Sequence, residues 1–144
     1  MIDFNAETDF QLENMQLIER WISETIASDG FEVGDIVYVF CDDEYLHKLN
    51  LEFLNHDTLT DIISFDYKMG NQINGEIYIS VERVFENSKE FKTNFEEELH
   101  RVIIHGVFHF CGFKDKSEAE ATLMRKKENG ALTNLSILRL NSLK

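Results

Sequence analysis

Two histidines and an aspartate late in the chain have the residue types and the spacing of a metal site. His105 and His109 lie four residues apart in a segment with helical periodicity. Because an α-helix rises about 6 Å over four residues and returns to nearly the same face, both imidazoles can reach one ion. Gly112 follows where a left-handed residue could end the helix, and Asp115 can then turn toward the same ion. The pattern predicts one divalent ion per chain, with zinc as the favoured metal.

The chemistry of such a site depends on what surrounds the ligands. Three protein ligands leave a coordination position open, as in catalytic zinc sites. A zinc peptidase of the His-Glu-x-x-His type carries its general base directly after the first histidine, where this chain has Gly106. A peptidase is therefore a weaker alternative, because the motif supplies no base. A pair of hydrogen-bonded core histidines without a metal is the other alternative, which the third ligand disfavours.

Hydrophobic periodicity along the rest of the chain predicts the elements that position these ligands. A first helix is expected at 17–26, with a stop at Gly30. A second is expected from a cap at Asp42 or Asp43 to residue 54, and a third at 84–91. A fourth should run from a cap at Thr93 or Asn94 through the histidines, and a last one covers about 117–129. A continuous apolar run predicts a buried strand at 36–40, and alternation predicts strands at 63–67 and 77–81 joined as a hairpin. This order predicts an α+β fold, with a small mixed β-sheet packed with helices and a central, buried helix carrying the histidines.

Length and composition indicate one domain spanning residues 1–144, because 43% apolar content with twelve Phe residues is enough for a core. No apolar run approaches the roughly 18 residues that a membrane span needs, and the N-terminus lacks the pattern of a secretion signal. Cys41 and Cys111 both lie in apolar runs, which favours buried free thiols. We therefore expect a cytoplasmic protein without a membrane partner.

The charge of −13 is unevenly distributed along the chain. From Lys114 onward, seven Lys and Arg residues face four Asp and Glu residues, a net charge of +3, whereas the first 113 residues carry −16. An acidic surface repels phosphate, but a basic segment next to the metal motif could contact it. Lys126 and Lys127 are the candidate phosphate contacts. A solvated face of the last helix explains the same charges without any ligand.

Three segments together resemble one known family. Residues 105–115, HGVFHFCGFKD, are similar to the signature of the YbeY-type ribosomal-RNA maturation endoribonucleases. Residues 60–65, TDIISF, resemble the family's Thr-Asp-x-x-Ser-Phe segment, and residues 75–80, GEIYIS, resemble its Gly-Asp-Ile-x-Ile-Ser strand. Met124, Glu128 and Leu132 fit its closing helix. The matches follow the family order from about residue 40 to 132.

The resemblance implies a single-domain α+β zinc metallohydrolase that cleaves single-stranded RNA. It also implies a role in 16S rRNA 3′-end maturation and ribosome quality control. The implied partners are rRNA and ribosomal particles, with ribosomal proteins or assembly GTPases as further ones. Asp61, Ser64 and Glu76 belong to the matched motifs, where capping or strand pairing explains each equally well, so no catalytic residue is assigned. A non-catalytic, metal-containing ribosome-assembly factor is the main alternative function.

Two positions depart from the family pattern. The third family ligand is usually histidine and here is Asp115, and two histidines with a carboxylate also suit iron(II) or another harder ion. The family generally has an arginine six residues before the matched threonine, where this chain has Leu54. Arg101 is a candidate replacement, because it lies one turn before His105, rotated from it by about 40° on the helix. A surface ion pair with Glu97 or Glu98 is the alternative role for Arg101.

Overall fold

The helix that carries both histidines packs against a four-stranded sheet. The computed structural model describes residues 1–143. Its elements, in chain order, are β1 (Ile2–Ala6), α1 (Met15–Ser28), β2 (Glu32–Cys41), α2 (Asp43–Leu54), β3 (Ile62–Asp66), β4 (Gln72–Ser80), α3 (Val81–Glu90), α4 (Phe95–Phe110) and α5 (Glu118–Ser142). The strand order is β1-β2-β4-β3, with β1, β2 and β4 parallel and β3 antiparallel to β4. The prediction of an α+β fold with a mixed sheet is confirmed.

The eight predicted elements all occur, in the predicted order, and the β3–β4 hairpin is confirmed by the pairing of Ile63 with Tyr78. The strand β1 was not predicted. It is a five-residue strand, Ile2–Ala6, whose apolar and polar residues do alternate, so the sequence held a short strand signal that the prediction missed. Its position at the edge of the sheet comes from parallel pairing with β2, where Ile2 lies opposite Ile36.

The prediction that the last helix ends near Asn129 is wrong, because α5 continues to Ser142. Gly130 lies inside the helix, where a glycine costs about 1 kcal/mol relative to alanine. Packing offsets that cost, since Ala131, Leu135 and Leu138 are buried at helical spacing beyond the glycine. The indole nitrogen of Trp21 also donates a hydrogen bond to the Ala131 carbonyl at 2.8 Å, which attaches this part of α5 to α1.

Buried apolar side chains surround α4 on most sides. They are Leu99, Val102, Ile103, Ile104, Val107, Phe108 and Phe110, each exposed by no more than 5%. The hydroxyl of Tyr38, on β2, donates to the Ile103 carbonyl at 2.9 Å and so connects the sheet to this helix. The cap of α4 is Asn94, one of the two predicted residues, and it accepts from the Glu97 amide.

The cap of α2 and the state of both cysteines also match the sequence predictions. Asp42 caps α2 by accepting from the Tyr45 amide, and Cys41 and Cys111 are both free and buried. None of the helices in residues 1–143 combines the length and the apolarity that crossing a membrane requires.

Two glycines allow α4 to lie close to the sheet. A Cβ on Gly106 would be 3.0 Å from the Ile77 side chain, and a Cβ on Gly75 would be 2.5 Å from the ring of Phe110. On the Gly75 side, the Phe65 carbonyl oxygen would be only 2.7 Å away, so the strand cannot relax by moving one flexible side chain. Because Gly75 of β4 has no side chain, the end of α4 can pack directly against this strand.

Gly75→Ala should destabilise the protein by about 1–3 kcal/mol, because the added methyl overpacks the contact between Phe110 and β4. The same substitution at Gly130 is the matched control. Nothing lies within 4 Å of a Cβ there, so Gly130→Ala should raise the free energy of unfolding by about 1 kcal/mol. Urea unfolding of both variants measures the difference, and equal stability of Gly75→Ala and wild type would refute the close packing.

Candidate metal centre

The chain turns back at the end of α4, and Gly112 ends the helix in the left-handed conformation predicted for it. Gly112 has a φ of 98°, which is the left-handed region, and its amide donates to the His109 carbonyl at 3.0 Å. The Phe113 amide donates to the Phe108 carbonyl at 3.0 Å, and the two aromatic rings pack edge to face. These contacts form a helix C-cap in which glycine avoids the Cβ clash of a left-handed residue. The turn directs the following segment, and with it Asp115, back toward the histidines.

The three predicted ligands meet at one point. The Nε2 atoms of His105 and His109 are 2.9 Å apart. One carboxylate oxygen of Asp115 lies 3.2 Å from the His105 nitrogen and 3.4 Å from the His109 nitrogen. These ligand atoms all lie within 4.8 Å of one another, so the group could hold a metal ion.

The environment of His105 suits a metal ligand. The Nδ1 atom of His105 is 2.6 Å from a carboxylate oxygen of Glu128, whose side chain is only 7% exposed. A carboxylate can only accept, so Nδ1 donates and the neutral ring has its lone pair on Nε2. That lone pair points toward a second imidazole and the carboxylate of Asp115. A carboxylate behind a ligating histidine is the usual support in metal sites, and the donor set suits zinc or iron(II).

Glu128 also determines the position of Arg101. One guanidinium nitrogen of Arg101 donates to the other Glu128 oxygen at 3.0 Å, and a second donates to the Asn129 side chain at 2.9 Å. The structure thus pairs Arg101 with Glu128 and Asn129 rather than with Glu97 or Glu98. The side chain of Arg101 is 16% exposed, so its guanidinium is largely committed to α5.

A cavity of about 360 Å³ opens beside His105 and Asp115. Besides these two residues, its charged lining consists of Asp61, Glu98, Arg101, Arg125 and Glu128. Its apolar lining includes Ile62, Val102 and Met124. A small polar group can therefore approach the ligand atoms from this side, next to both acidic and basic side chains.

Burial and pairing shift the acid–base properties of this cluster. Burial disfavours the charged form of His105, but the hydrogen bond and charge of Glu128, with Asp115 and Asp61, outweigh burial and raise its pKa. Burial alone would raise the pKa of Glu128, yet the hydrogen bonds from His105 and Arg101 lower it. Since a proton and a metal compete for the same imidazole, a metal bound at His105 would be held more weakly at acidic pH.

Two further carboxyl groups of the cavity, those of Asp61 and Glu98, behave differently from Glu128. Burial raises the pKa of Asp61, and the opposing effect of His105 does not cancel it. Burial also raises the pKa of Glu98, against the opposing charge of Arg101. The cavity therefore contains carboxyl groups that hold a proton more readily than an exposed Asp or Glu does.

The two predicted lysines do not join this cavity. The ammonium of Lys127 is 2.6 Å from an Asp29 oxygen and lies over the rings of Phe108 and Phe113. Lys126 is exposed beside Leu123, away from the ligands. Contact of either lysine with a phosphate stays a prediction.

Sequence reasoning left four charged residues of the cavity without a role: Asp61, Glu98, Arg125 and Glu128. Glu128 had a signal, because it lies four residues after Met124 and three before Ala131, both of which are buried. A carboxylate on a buried helix face needs a partner, and His105 is that partner. Leu54, at the position of the family arginine, lies at the end of α2 with 42% exposure and does not line the cavity.

Fold and site together define an α+β protein with a three-residue metal-type centre at the edge of a charged cavity. The family model described as Endoribonuclease YbeY matches residues 2–136, and the chain belongs to this family. Proteins named Endoribonuclease YbeY from Flavobacterium johnsoniae and Christiangramia forsetii are 60% and 59% identical to it. These alignments cover 90% and 88% of this chain, and 93% and 89% of the relatives. The solution structure of TM1509 from Thermotoga maritima is similar with a TM-score of 0.69 and 25% identity, over 98% of this chain and 93% of that one.

Glu128→Gln should lower the pKa of His105, because the negative charge is lost while the burial remains. NMR titration of the imidazoles in metal-free protein measures this change. Glu97→Gln, on the exposed face of α4, removes the same charge without contacting His105 and should leave the value unchanged. An unchanged His105 pKa in Glu128→Gln would show that Glu128 does not control this imidazole.

Proposed function

We propose that this protein is a zinc-dependent endoribonuclease that cleaves single-stranded RNA. Its role would be in 16S rRNA 3′-end maturation and ribosome quality control. The family and the names of the relatives support cleavage of RNA. The observation that carries the proposal is the convergence of His105, His109 and Asp115 beside a cavity lined by charged side chains. Residues 1–144 would act as one domain in the cytoplasm, on rRNA within ribosomal particles.

His105, His109 and Asp115 would hold the zinc ion. When bound, a divalent ion supplies a Lewis acid that polarises a phosphoryl oxygen and lowers the pKa of water. The two histidines are on one rigid helix, so their separation is set before any ion binds. Iron(II) is the second metal candidate, because the third ligand is a carboxylate.

The surrounding residues orient these ligands and control protons. Glu128 holds the Nδ1 proton of His105, so that Nε2 is available to a metal. Arg101 donates to Glu128 and keeps that carboxylate ionised. Asp61, whose pKa is raised by burial, is a carboxyl group in the cavity suited to holding a proton near the substrate. Val102 and Met124 limit water on the apolar side of the cavity.

A non-catalytic ribosome-assembly factor is the second candidate function. Leu54 favours it, because an apolar side chain stands where the family generally has an arginine and cannot bind a phosphate. In that case the metal would stabilise the connection between α4 and the segment after it. The two functions differ in RNA cleavage but not in metal content.

Purified protein should bind up to one zinc ion per chain, and His105→Ala or His109→Ala should abolish retention, because two ligands remain in each variant. Glu128→Gln should weaken zinc affinity by about 10- to 100-fold, as loss of a hydrogen-bonded support typically does. His56→Ala, at an exposed loop histidine, is the control and should retain the metal. Elemental analysis after dialysis measures all four, and stoichiometric zinc in a His105/His109 double variant would refute the site.

Zinc-loaded protein should cleave single-stranded RNA faster than duplex RNA, and His109→Ala should remove the activity. The assay uses RNA with and without secondary structure, together with a peptide library. Metal-containing protein that binds RNA and cleaves nothing would favour the assembly function. Cleavage of peptides in place of RNA would identify a peptidase.

A further inference from the structure

The cavity beside the metal ligands contains more negative than positive charge. Four carboxyl groups line it, from Asp61, Glu98, Asp115 and Glu128. Two guanidinium groups oppose them, from Arg101 and Arg125. A phosphodiester that enters such a cavity meets repulsion unless a cation donates to it directly. The question is which of the two arginines is free to do so.

Arg101 is occupied by its own neighbours. Its guanidinium donates to Glu128 at 3.0 Å and to Asn129 at 2.9 Å, and its side chain is mostly buried. Turning it toward a substrate would break both hydrogen bonds and leave the buried Glu128 carboxylate short of a partner. That loss is costly, because a buried carboxylate depends on its hydrogen-bond donors and would keep only His105.

Arg125 is the available cation. It lies on α5, three residues before Glu128, and its side chain is 59% exposed. Its distance to the Glu128 oxygen is 3.8 Å, which is too long for a hydrogen bond, and that oxygen already accepts from Arg101. Its planar fork of N–H donors matches two oxygens of a phosphate.

No other cation of residues 1–143 lines this cavity. Lys127 is paired with Asp29, and Lys126 lies outside the cavity. Leu54 carries no charge. Among the cations of residues 1–143 that line the cavity, Arg125 is therefore the one whose guanidinium is not already hydrogen-bonded.

We propose that Arg125 binds the phosphate of the RNA strand that occupies this cavity. The proposal rests on the proposed endoribonuclease function and names the residue that recognises its substrate. Arg101 is then a positioning residue that acts through Glu128, and Arg125 is the residue that touches the phosphodiester.

The test compares Arg125→Ala and Arg125→Lys with Arg20→Ala. Arg20 is the matched control, because it is an exposed helical arginine beside a carboxylate, Glu24 at 3.4 Å, on α1 away from the cavity. Binding of a short single-stranded 2′-O-methyl RNA to zinc-loaded protein is measured over a range of salt concentrations, and its integrity is checked on a gel. Cleavage of the unmodified RNA is measured in parallel.

Arg125→Ala should weaken binding about tenfold and reduce the slope of log K against log salt by about 0.7, as expected for one lost contact to single-stranded phosphate. Cleavage should fall by about 10²-fold, in the range for losing one donor to the transition state. Arg125→Lys should keep the salt slope and recover part of the activity, because it keeps the charge but loses the fork. Zinc content and melting temperature should not change, and Arg20→Ala should match wild type.

The outcomes separate this proposal from the proposed function. If wild type cleaves RNA and Arg125→Ala binds and cleaves it equally well, the Arg125 assignment is overturned and the endoribonuclease function stands. If wild type cleaves nothing while its RNA affinity depends on Arg125, the assignment stands and the nuclease function fails. If wild type binds no RNA, both are overturned.

Discussion

The contact between His105 and Glu128 connects α4 to α5, two helices that Arg101 also joins through its hydrogen bonds to Glu128 and Asn129. Glu128 is on α5, His105 is on α4, and their 2.6 Å hydrogen bond lies at the wall of the cavity. A carboxylate so buried is stable only with its partners in place, and here these are an imidazole and a guanidinium. Packing of α5 on α4 therefore places the Glu128 carboxylate beside Nδ1 of His105. The hydrogen bond to Nδ1 in turn leaves Nε2 facing His109 and Asp115. The packing of α5 and the position of the proton on His105 therefore depend on the same contact.

The sequence was most informative where chemistry is local. His105, His109, Gly112 and Asp115 lie within one helix and the turn after it, so helical geometry alone was enough to place them. The strand pattern of the β3–β4 hairpin was equally local. By contrast, Glu128 is 23 residues from its partner, and only the docking of α5 decides whether it contacts His105 or solvent. The edge strand β1 was missed although its five residues alternate, because so short a pattern does not show that the strand pairs with β2.

Arg101 shows that a correct position on a helix does not identify the partners of a side chain. Helix geometry predicted that it lies near His105, and it does line the same cavity. Helix geometry cannot indicate contacts with residues of another helix. The hydrogen-bond partners of Arg101 are Glu128 and Asn129, and both belong to α5. Lys127 illustrates the same limit, because its partner Asp29 is 98 residues away at the end of α1. Charges close in sequence to a motif therefore predict its electrostatic surroundings less well than the residues that fold against it.

The presence of Asp115 in place of a third imidazole changes the electrostatic balance of the centre. A divalent ion with two neutral imidazoles and one carboxylate has a net charge of +1, whereas three imidazoles would leave +2. The lower charge attracts a phosphodiester less strongly and withdraws less electron density from it. It would also make the site a better host for harder ions. The carboxylate of Asp115 would thus affect both which metal the centre binds and how strongly the centre attracts an anion.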